Sequence, residues 1–191
     1  MKQAIKLILV MTVLLGGGYT VLMWGIGKIF FSHQTAGSLI YKDGKLIGSE
    51  LLAQKTESPN YFWPRPSAAD YATVSSGASN QGATSAVLKE AVEKRAEIIR
   101  KAHNLSADAQ IPADLLLASG SGLDPHISPE AARFQISRVA EARNLSADQA
   151  TELQRLVEKS IEGLQWGFMG APRVNVLRLN LELDEMFPSK S

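Results

Sequence analysis

Three short constellations in this 191-residue chain hold residue types that could do chemistry. The first is Ser119, Ser121, Asp124 and His126, within the stretch ASGSGLDPHISPEAA. A serine activated by a histidine that is oriented by an aspartate would make a hydrolase. The flanks of Ser121 are Ser119 and Leu123, however, so the G-x-S-x-G elbow that presents such a serine is missing. The second is Asp124, His126 and Glu130, whose oxygen and imidazole donors suit a divalent metal. The other histidines, His33 and His103, lie far off in sequence, and no H-E-x-x-H pattern is present. The third is Gly77–Thr84, GASNQGAT, spaced like the phosphate loop G-x-x-x-x-G-K-[ST]. Ala83 stands where the lysine that reaches the β- and γ-phosphates belongs. The residues then favour a turn and helix N-cap over a phosphate cradle. The expectation is no catalytic residue, no metal and no tightly bound cofactor.

Composition narrows the classes further. The chain has no cysteine, which excludes disulfides, thiolate catalysis and cysteine-based zinc sites. Of its 20 Lys and Arg, three (Lys2, Lys6 and Lys28) fall in residues 1–28, where there is no acid. That leaves 17 basic against 19 acidic residues, so no basic surface for nucleic acid is expected.

The elements that would carry these residues start with Leu7–Gly27, LILVMTVLLGGGYTVLMWGIG, which has no charged side chain or histidine. Twenty-one helical residues at about 1.5 Å each reach roughly the 30 Å of a bilayer core. This core is longer than that of a cleaved signal, and no A-x-A-like cleavage site follows it. The stretch therefore reads as a retained transmembrane anchor. Lys2, Lys6 and the amino terminus on one side against Lys28 on the other favour a cytoplasmic N-terminus and an external domain. Gly16-Gly17-Gly18 at mid-span would let a partner helix approach closely. One such helix encloses no pore, so a transport role for this chain requires larger membrane partners.

After the anchor, Asp43-Gly44 between apolar runs in Ser38–Gly48 predicts a β-hairpin. Leu52–Ala83 is poor in helix signals, and Pro64 and Pro66 keep Arg65 out of helix; the aromatics beside it read as a packed corner. Apolar residues at i, i+3, i+4 predict an amphipathic helix over Thr84–His103. Ser128-Pro129-Glu130 opens a helix to about Arg143, and Ser146-x-x-Gln149 has the form of a capping box opening another, from about Ala147 to Gly163. Asn104–Asp108 recurs as Asn144–Asp148 and reads as two similar helix-entry or turn sequences. In Pro172–Asp184, alternation of Leu177, Leu179, Leu181 and Leu183 with polar residues favours a strand, with a helix from Val176 as the alternative. The fold class expected is a single N-terminal transmembrane helix (residues 1–31 with short flanks) plus one α+β extramembrane domain (residues 32–191).

Several stretches together resemble one family. GSLI (Gly37–Ile40), YFWPRPSA (Tyr61–Ala68), SGASNQG (Ser76–Gly82), PADLLLASGSGLDPHISPEAA (Pro112–Ala132), RVAEARNLS (Arg138–Ser146) and PRVNVLRLNLELD (Pro172–Asp184) are similar, in order, to the C subunit of the bacterial Kdp potassium-transporting P-type ATPase. Gln81 and Ala83-Thr84 depart from the SNLGP-type sequence of that family, and Thr20 stands where proline is frequent. The resemblance implies a subunit of the bacterial inner membrane, working beside an ATP-hydrolysing P-type subunit and a channel-like potassium-binding subunit. It implies a role in assembly and activity, and a catalytic-chaperone role that raises the ATP affinity of the hydrolysing subunit. By the same resemblance ATP would lie at Ser76, Gly77, Ser79, Asn80 and Gly82. Partner contacts by motif match would be Gln54, Arg65, Ser119 and Asp124, with Gly16, Gly17 and Gly18 in the membrane. The alternative is a tethered scaffold that stabilises the pump or shapes potassium entry without touching nucleotide.

Overall fold

A computed structural model describes residues 1–188. The chain divides into two compact units, Met1–Ser49 and Glu50–Ser191. The first begins with helix α1 (Lys2–Phe30), long and apolar enough to cross a membrane. Its middle, Thr12–Tyr19, is wound as a π-helix that contains the three glycines. Thr20 Oγ1 donates to the carbonyl of Leu15, five residues back (3.3 Å). A short helix α2 (Ser32–Thr35) and a hairpin of β1 (Leu39–Lys42) and β2 (Lys45–Ser49) complete the unit. Asp43 and Gly44 both take positive φ (51° and 74°), the two-residue turn whose twist matches a hairpin. A bulge between Ile40 and Tyr41 shifts the register, so that Tyr41 faces Leu46.

The second unit opens with residues 50–85, which form no helix or strand. Its regular elements are α3 (Ala86–Ala102), α4 (Ala113–Leu116), β3 (His126–Ile127), α5 (Pro129–Phe134), α6 (Ile136–Ala142), α7 (Ala147–Lys159), β4 (Ile161–Glu162), β5 (Arg173–Asn175) and α8 (Val176–Met186). The strands form a small antiparallel sheet in the order β3-β5-β4. Helix starts are set by side chains: Ser85, Ser128, Ser146 and Asn175 each accept a backbone N–H three residues on, and Ser146 with Gln149 forms the full capping box.

Two expectations are corrected, and one is borne out. The strand favoured for Pro172–Asp184 covers only Arg173–Asn175; the rest is helix α8. Its buried face is Val176, Leu179, Asn180 and Leu183, an i, i+3, i+4, i+7 stripe interrupted by a polar residue. The helix expected over 129–143 is two, divided at Gln135. The repeated stretches are turns, as expected: Asn104 and Asn144 each close the preceding helix, and in the second copy Ser146 then caps α7. Asn104 and Asn144 lie at φ 52° and 53°, and the following leucine amides reach back to Arg100 and Ala140 (2.9 and 3.0 Å).

Phe62, Ile127, Val139, Leu153, Val157, Val174, Leu179 and Leu183 anchor the core, drawn from the sheet, α6, α7, α8 and one irregular segment. Phe62 is fully buried in that segment, outside any strand. Its N–H donates to Asn180 Oδ1 (2.8 Å), and its carbonyl accepts from Asn180 Nδ2 (2.9 Å). The next peptide repeats the pattern: Trp63 N–H donates to Gln135 Oε1 (2.7 Å) and Gln135 Nε2 donates to the Trp63 carbonyl (3.2 Å). Arg138 gives hydrogen bonds to the carbonyls of Pro59 (2.6 Å) and Tyr61 (3.0 Å), and Arg143 to that of Asn60 (2.8 Å). Four side chains thus do for this segment what a neighbouring strand would do. Asn180→Leu keeps the bulk and orphans both backbone groups of Phe62, so it should lower unfolding free energy by about 2–4 kcal/mol. Urea unfolding of the full chain in detergent measures this; a loss below about 0.5 kcal/mol would show the bonds to be dispensable.

Candidate functional site

The residues singled out in the extramembrane sequence gather where the 50–70 segment meets the turn Ser119–Asp124. Ser119 N–H donates to the Pro66 carbonyl (3.0 Å), and Ala53 N–H to the Leu123 carbonyl (2.9 Å). Arg65 lies between Pro64 and Pro66, outside any helix or strand, and its guanidinium meets two carboxylates. Nη1 is 3.3 Å from Asp124 Oδ2, and Nε is 3.9 Å from Asp114 Oδ1. Each carboxylate is also tied to backbone. Asp124 Oδ1 accepts from the His126 amide (3.0 Å), and Asp114 Oδ2 from the amide of Ser128 (2.7 Å), the residue that caps α5. The His126 ring lies 3.4 Å from Asp124. His126 first, and Arg65 with it, holds the Asp124 carboxyl below the usual carboxylate range.

A strained turn completes the corner. Asp70 and Tyr71 both take left-handed φ (47° and 62°), and Ser67 Oγ accepts the amides of Ala69 and Tyr71 (3.1 and 2.9 Å). That turn brings Tyr71 Oη to the Arg65 carbonyl (2.8 Å). Burial pushes the Tyr71 hydroxyl up to about 12, so it donates at any physiological pH. Beside it lies a groove of about 470 Å³, lined in part by Trp63, Pro64, Pro66, Tyr71, Arg95 and Leu115.

Gln54, Arg65, Ser119 and Asp124 are therefore brought into one region, with Gln54 in a cleft beside Pro64, Pro125 and Asn180. Gly16, Gly17 and Gly18 belong to the other unit. Asp114 was missed in the sequence, where it is one acid in the apolar run PADLLLAS. The hydrolase grouping does not assemble. The Ser121 hydroxyl accepts the Leu123 amide (3.1 Å) as part of a turn, Ser119 is buried, and the described bond of His126 is to Asp124. Among the described residues no three His, Asp or Glu side chains cluster as a metal site.

The Gly-rich stretch meets the same turn from the other side. Gly122 (φ +72°) lies so close that a Cβ there would stand 3.0 Å from the Gly77 carbonyl and 3.2 Å from Ser67 Oγ. Ser76, Ser79, Asn80 and Gly82 are exposed, and Gly77 is partly so. The described bonds of the stretch are local, Gln81 Nε2 to the Ser79 carbonyl and Ser85 Oγ to Gln81 Oε1. Ser85 caps α3 itself, accepting the Leu88 amide. The stretch contains no lysine or arginine.

Comparison with known proteins places relatives along almost the whole chain. The family model described as "K+-transporting ATPase, c chain" matches residues 1–185. A potassium-transporting ATPase KdpC subunit of Leptospira interrogans is 47% identical over 184 residues, covering 96% of this chain and 93% of the relative. The proteins of the same name from Methylococcus capsulatus and Sorangium cellulosum are each 48% identical, with 97% and 96% of both chains covered.

Two outcomes test this geometry. Gly122→Ala forces a side chain into a left-handed conformation and against the Gly77 carbonyl, which should cost about 1–2 kcal/mol or more and speed protease cleavage within 76–82. Cleavage at the unmodified rate would break the link between the two loops. His103, which accepts a hydrogen bond from the buried Arg138 (3.1 Å), is held down to about 4 by burial and then by that charge. Its unfolded value is near 6.5, so between pH 6.5 and 4 the unfolded chain binds the extra proton. The stability that neutral His103 contributes is complete above pH 6.5 and lost as pH falls towards 4. The urea midpoint should drop across that window, and the drop should be smaller in His103→Gln.

Proposed function

The chain belongs to the KdpC family of potassium-transporting ATPase subunits, and from that premise we propose that it is an accessory subunit that holds the pump together and shapes potassium entry without contacting nucleotide. It would cross the bacterial inner membrane once, N-terminus in the cytoplasm, beside an ATP-hydrolysing P-type subunit and a channel-like potassium-binding subunit. Support for that orientation is the bias of Lys2 and Lys6 over Lys28. The observation that carries the reading is the Arg65 corner. Its cation is matched by Asp114 and Asp124, its backbone is held by Ser119 and Tyr71, and it borders an open groove. Such a fixed corner suits a surface that presents shape to a partner at little ordering cost. Gln54, Arg65, Ser119 and Asp124 are the contacts assigned there, and Gly16, Gly17 and Gly18 the contacts assigned to a partner helix in the membrane.

A second reading keeps the catalytic-chaperone role, with ATP at Ser76, Gly77, Ser79, Asn80 and Gly82. The exposure of that stretch favours it, and the lack of a cation there disfavours it.

Two measurements test what the readings share, membership of the pump and orientation, and a third separates them. Deleting this subunit should abolish growth at micromolar potassium in a strain with no other uptake system, and unimpaired growth would refute the pump role. Val74 is fully exposed in a chain without cysteine. Val74→Cys should therefore react with an impermeant thiol reagent in intact cells; protection there, with reaction after lysis, would reverse the orientation. Photolabelling the purified complex with azido-ATP should leave residues 76–82 unmodified, whereas competable labelling there would establish the second reading.

A further inference from the structure

The apolar surface of helix α1 continues past its charge-free run. After Lys28, the side chains of Ile29, Phe30 and Phe31 are all exposed. The backbone then bends at Phe31 (φ −134°, ψ 44°), and α2 turns back against the helix it leaves. A Cβ on Gly27 would stand 3.1 Å from Thr35 Cγ2. Thr35 therefore lies close to the level of Gly27, the last residue of the charge-free run.

Turns keep the next residues compact. The amides of Gly37 and Ser38 reach the carbonyls of Gln34 and His33 (both 3.0 Å), and Ser49 Oγ donates to the Gly37 carbonyl (2.7 Å). Strand β1 starts at Leu39, four residues past Thr35. Four residues reach about 14 Å at most when extended, and these turns shorten that; the polar zone of one leaflet is itself roughly 5–8 Å deep. The hairpin thus begins at the edge of the bilayer that the helix would enter.

Its side chains suit that level. Tyr41 and Leu46 are 61% and 57% exposed and stand opposite each other in register, an apolar pair on the hairpin. Lys42 and Lys45 form the next pair, and neither has an ion-pair partner among the described residues. Like charges directly opposite destabilise a hairpin, and an anion beside them relieves the repulsion. Asp43, in the turn, is the one acid in residues 24–49, against Lys28, Lys42 and Lys45.

Tyrosine and tryptophan sit at headgroup level on both faces of a membrane. Lysines near a span lay their stems along apolar surface and keep their ammonium groups in the polar zone. Trp24 and Lys28 supply the same pair of residue types on the helix itself. Phosphate is common to phospholipids of either leaflet, so the lysines need no particular side of the membrane. The hairpin's place beside the span, more than its residue types, favours lipid over another protein.

We propose that the β1–β2 hairpin lies on the bilayer that helix α1 enters, with Tyr41 and Leu46 in the headgroup region and Lys42 and Lys45 on lipid phosphates. The chain then leaves the membrane surface at Ser49 rather than at Phe31. This rests on α1 spanning the membrane and is independent of whether nucleotide binds.

The chain has no cysteine, so single spin labels can report depth. Tyr41→Cys, Leu46→Cys, Val13→Cys and Val74→Cys are labelled in the full chain, in nanodiscs of phosphatidylethanolamine and phosphatidylglycerol. Relaxation by oxygen, which concentrates in lipid, is compared with relaxation by a water-soluble nickel chelate. At positions 41 and 46 the oxygen-to-nickel ratio should exceed that at 74 by about threefold or more. Adding Lys42→Glu and Lys45→Glu should bring both ratios down towards that at 74, with the urea midpoint of the chain unchanged. Ratios at 41 and 46 equal to that at 74, with position 13 still in lipid, would overturn the proposal and leave the span intact. A water-like position 13 would refute the span and the proposal with it. Ratios that ignore the lysine replacements would overturn the phosphate contact. In the assembled complex, a benzophenone amino acid in place of Leu46 should give lipid adducts on irradiation; an adduct with another subunit in their place would overturn the assignment to lipid.

Discussion

An irregular backbone that enters the core outside any sheet is tolerable only if other groups take its N–H and C=O, and at residues 59–63 of this protein the others are four side chains. Asn180 and Gln135 each grip one peptide from both sides, at Phe62 and Trp63, while Arg138 and Arg143 collect the carbonyls of residues 59–61. An unsatisfied buried amide or carbonyl costs on the order of 1–3 kcal/mol, so each gripping side chain matters out of proportion to its size. Arg138 has no carboxylate among its described partners. It stacks on Trp63 at 4.2 Å, and burial alone brings its value down to about 10, still charged at neutral pH. A guanidinium bound to neutral carbonyls keeps its fork geometry and fixes the distance between helix α6 and the segment.

The rest of the domain depends on that grip. Phe62 fills the centre of the core, and the same segment continues through Pro64 to Arg65 and Pro66. Fixing residues 59–63 therefore fixes where the Arg65 guanidinium meets Asp124 and where Pro66 accepts the Ser119 amide. On the far side, Asn180 lies on the helix that follows β5, so that strand leads into the helix that holds Phe62. One polar framework thus supports the corner to which a binding role is assigned.

The spanning helix, the Asp43-Gly44 hairpin, the Ser128 and Ser146 caps and helix α3 were legible because each follows from local chemistry: absence of charge, positive-φ turn residues, side-chain caps, and 3.6-residue periodicity. Helix α8 was legible only as the alternative, a helix from Val176, because Asn180 occupies a core position and breaks the apolar stripe, leaving the leucines to favour alternation. The division at Gln135 was hidden for the same reason. A glutamine facing the core looks like a surface residue until its partner, a peptide 72 residues away, is known. The corner of the candidate site was half visible: the prolines around Arg65 showed that it is not helical, but the two aspartates that receive it come from other elements.

Hydrogen exchange of the Phe62 and Trp63 amides in the full chain is the most direct test of the central claim, that side chains replace a strand around this segment. Neither amide lies in a helix or strand, so local structure alone gives no protection. If the four side chains act as described, both amides exchange only through global unfolding, at rates matching those of the core amides of Leu179 and Val139. Exchange at the rate of an exposed loop, while Leu179 and Val139 stay protected, would contradict the account.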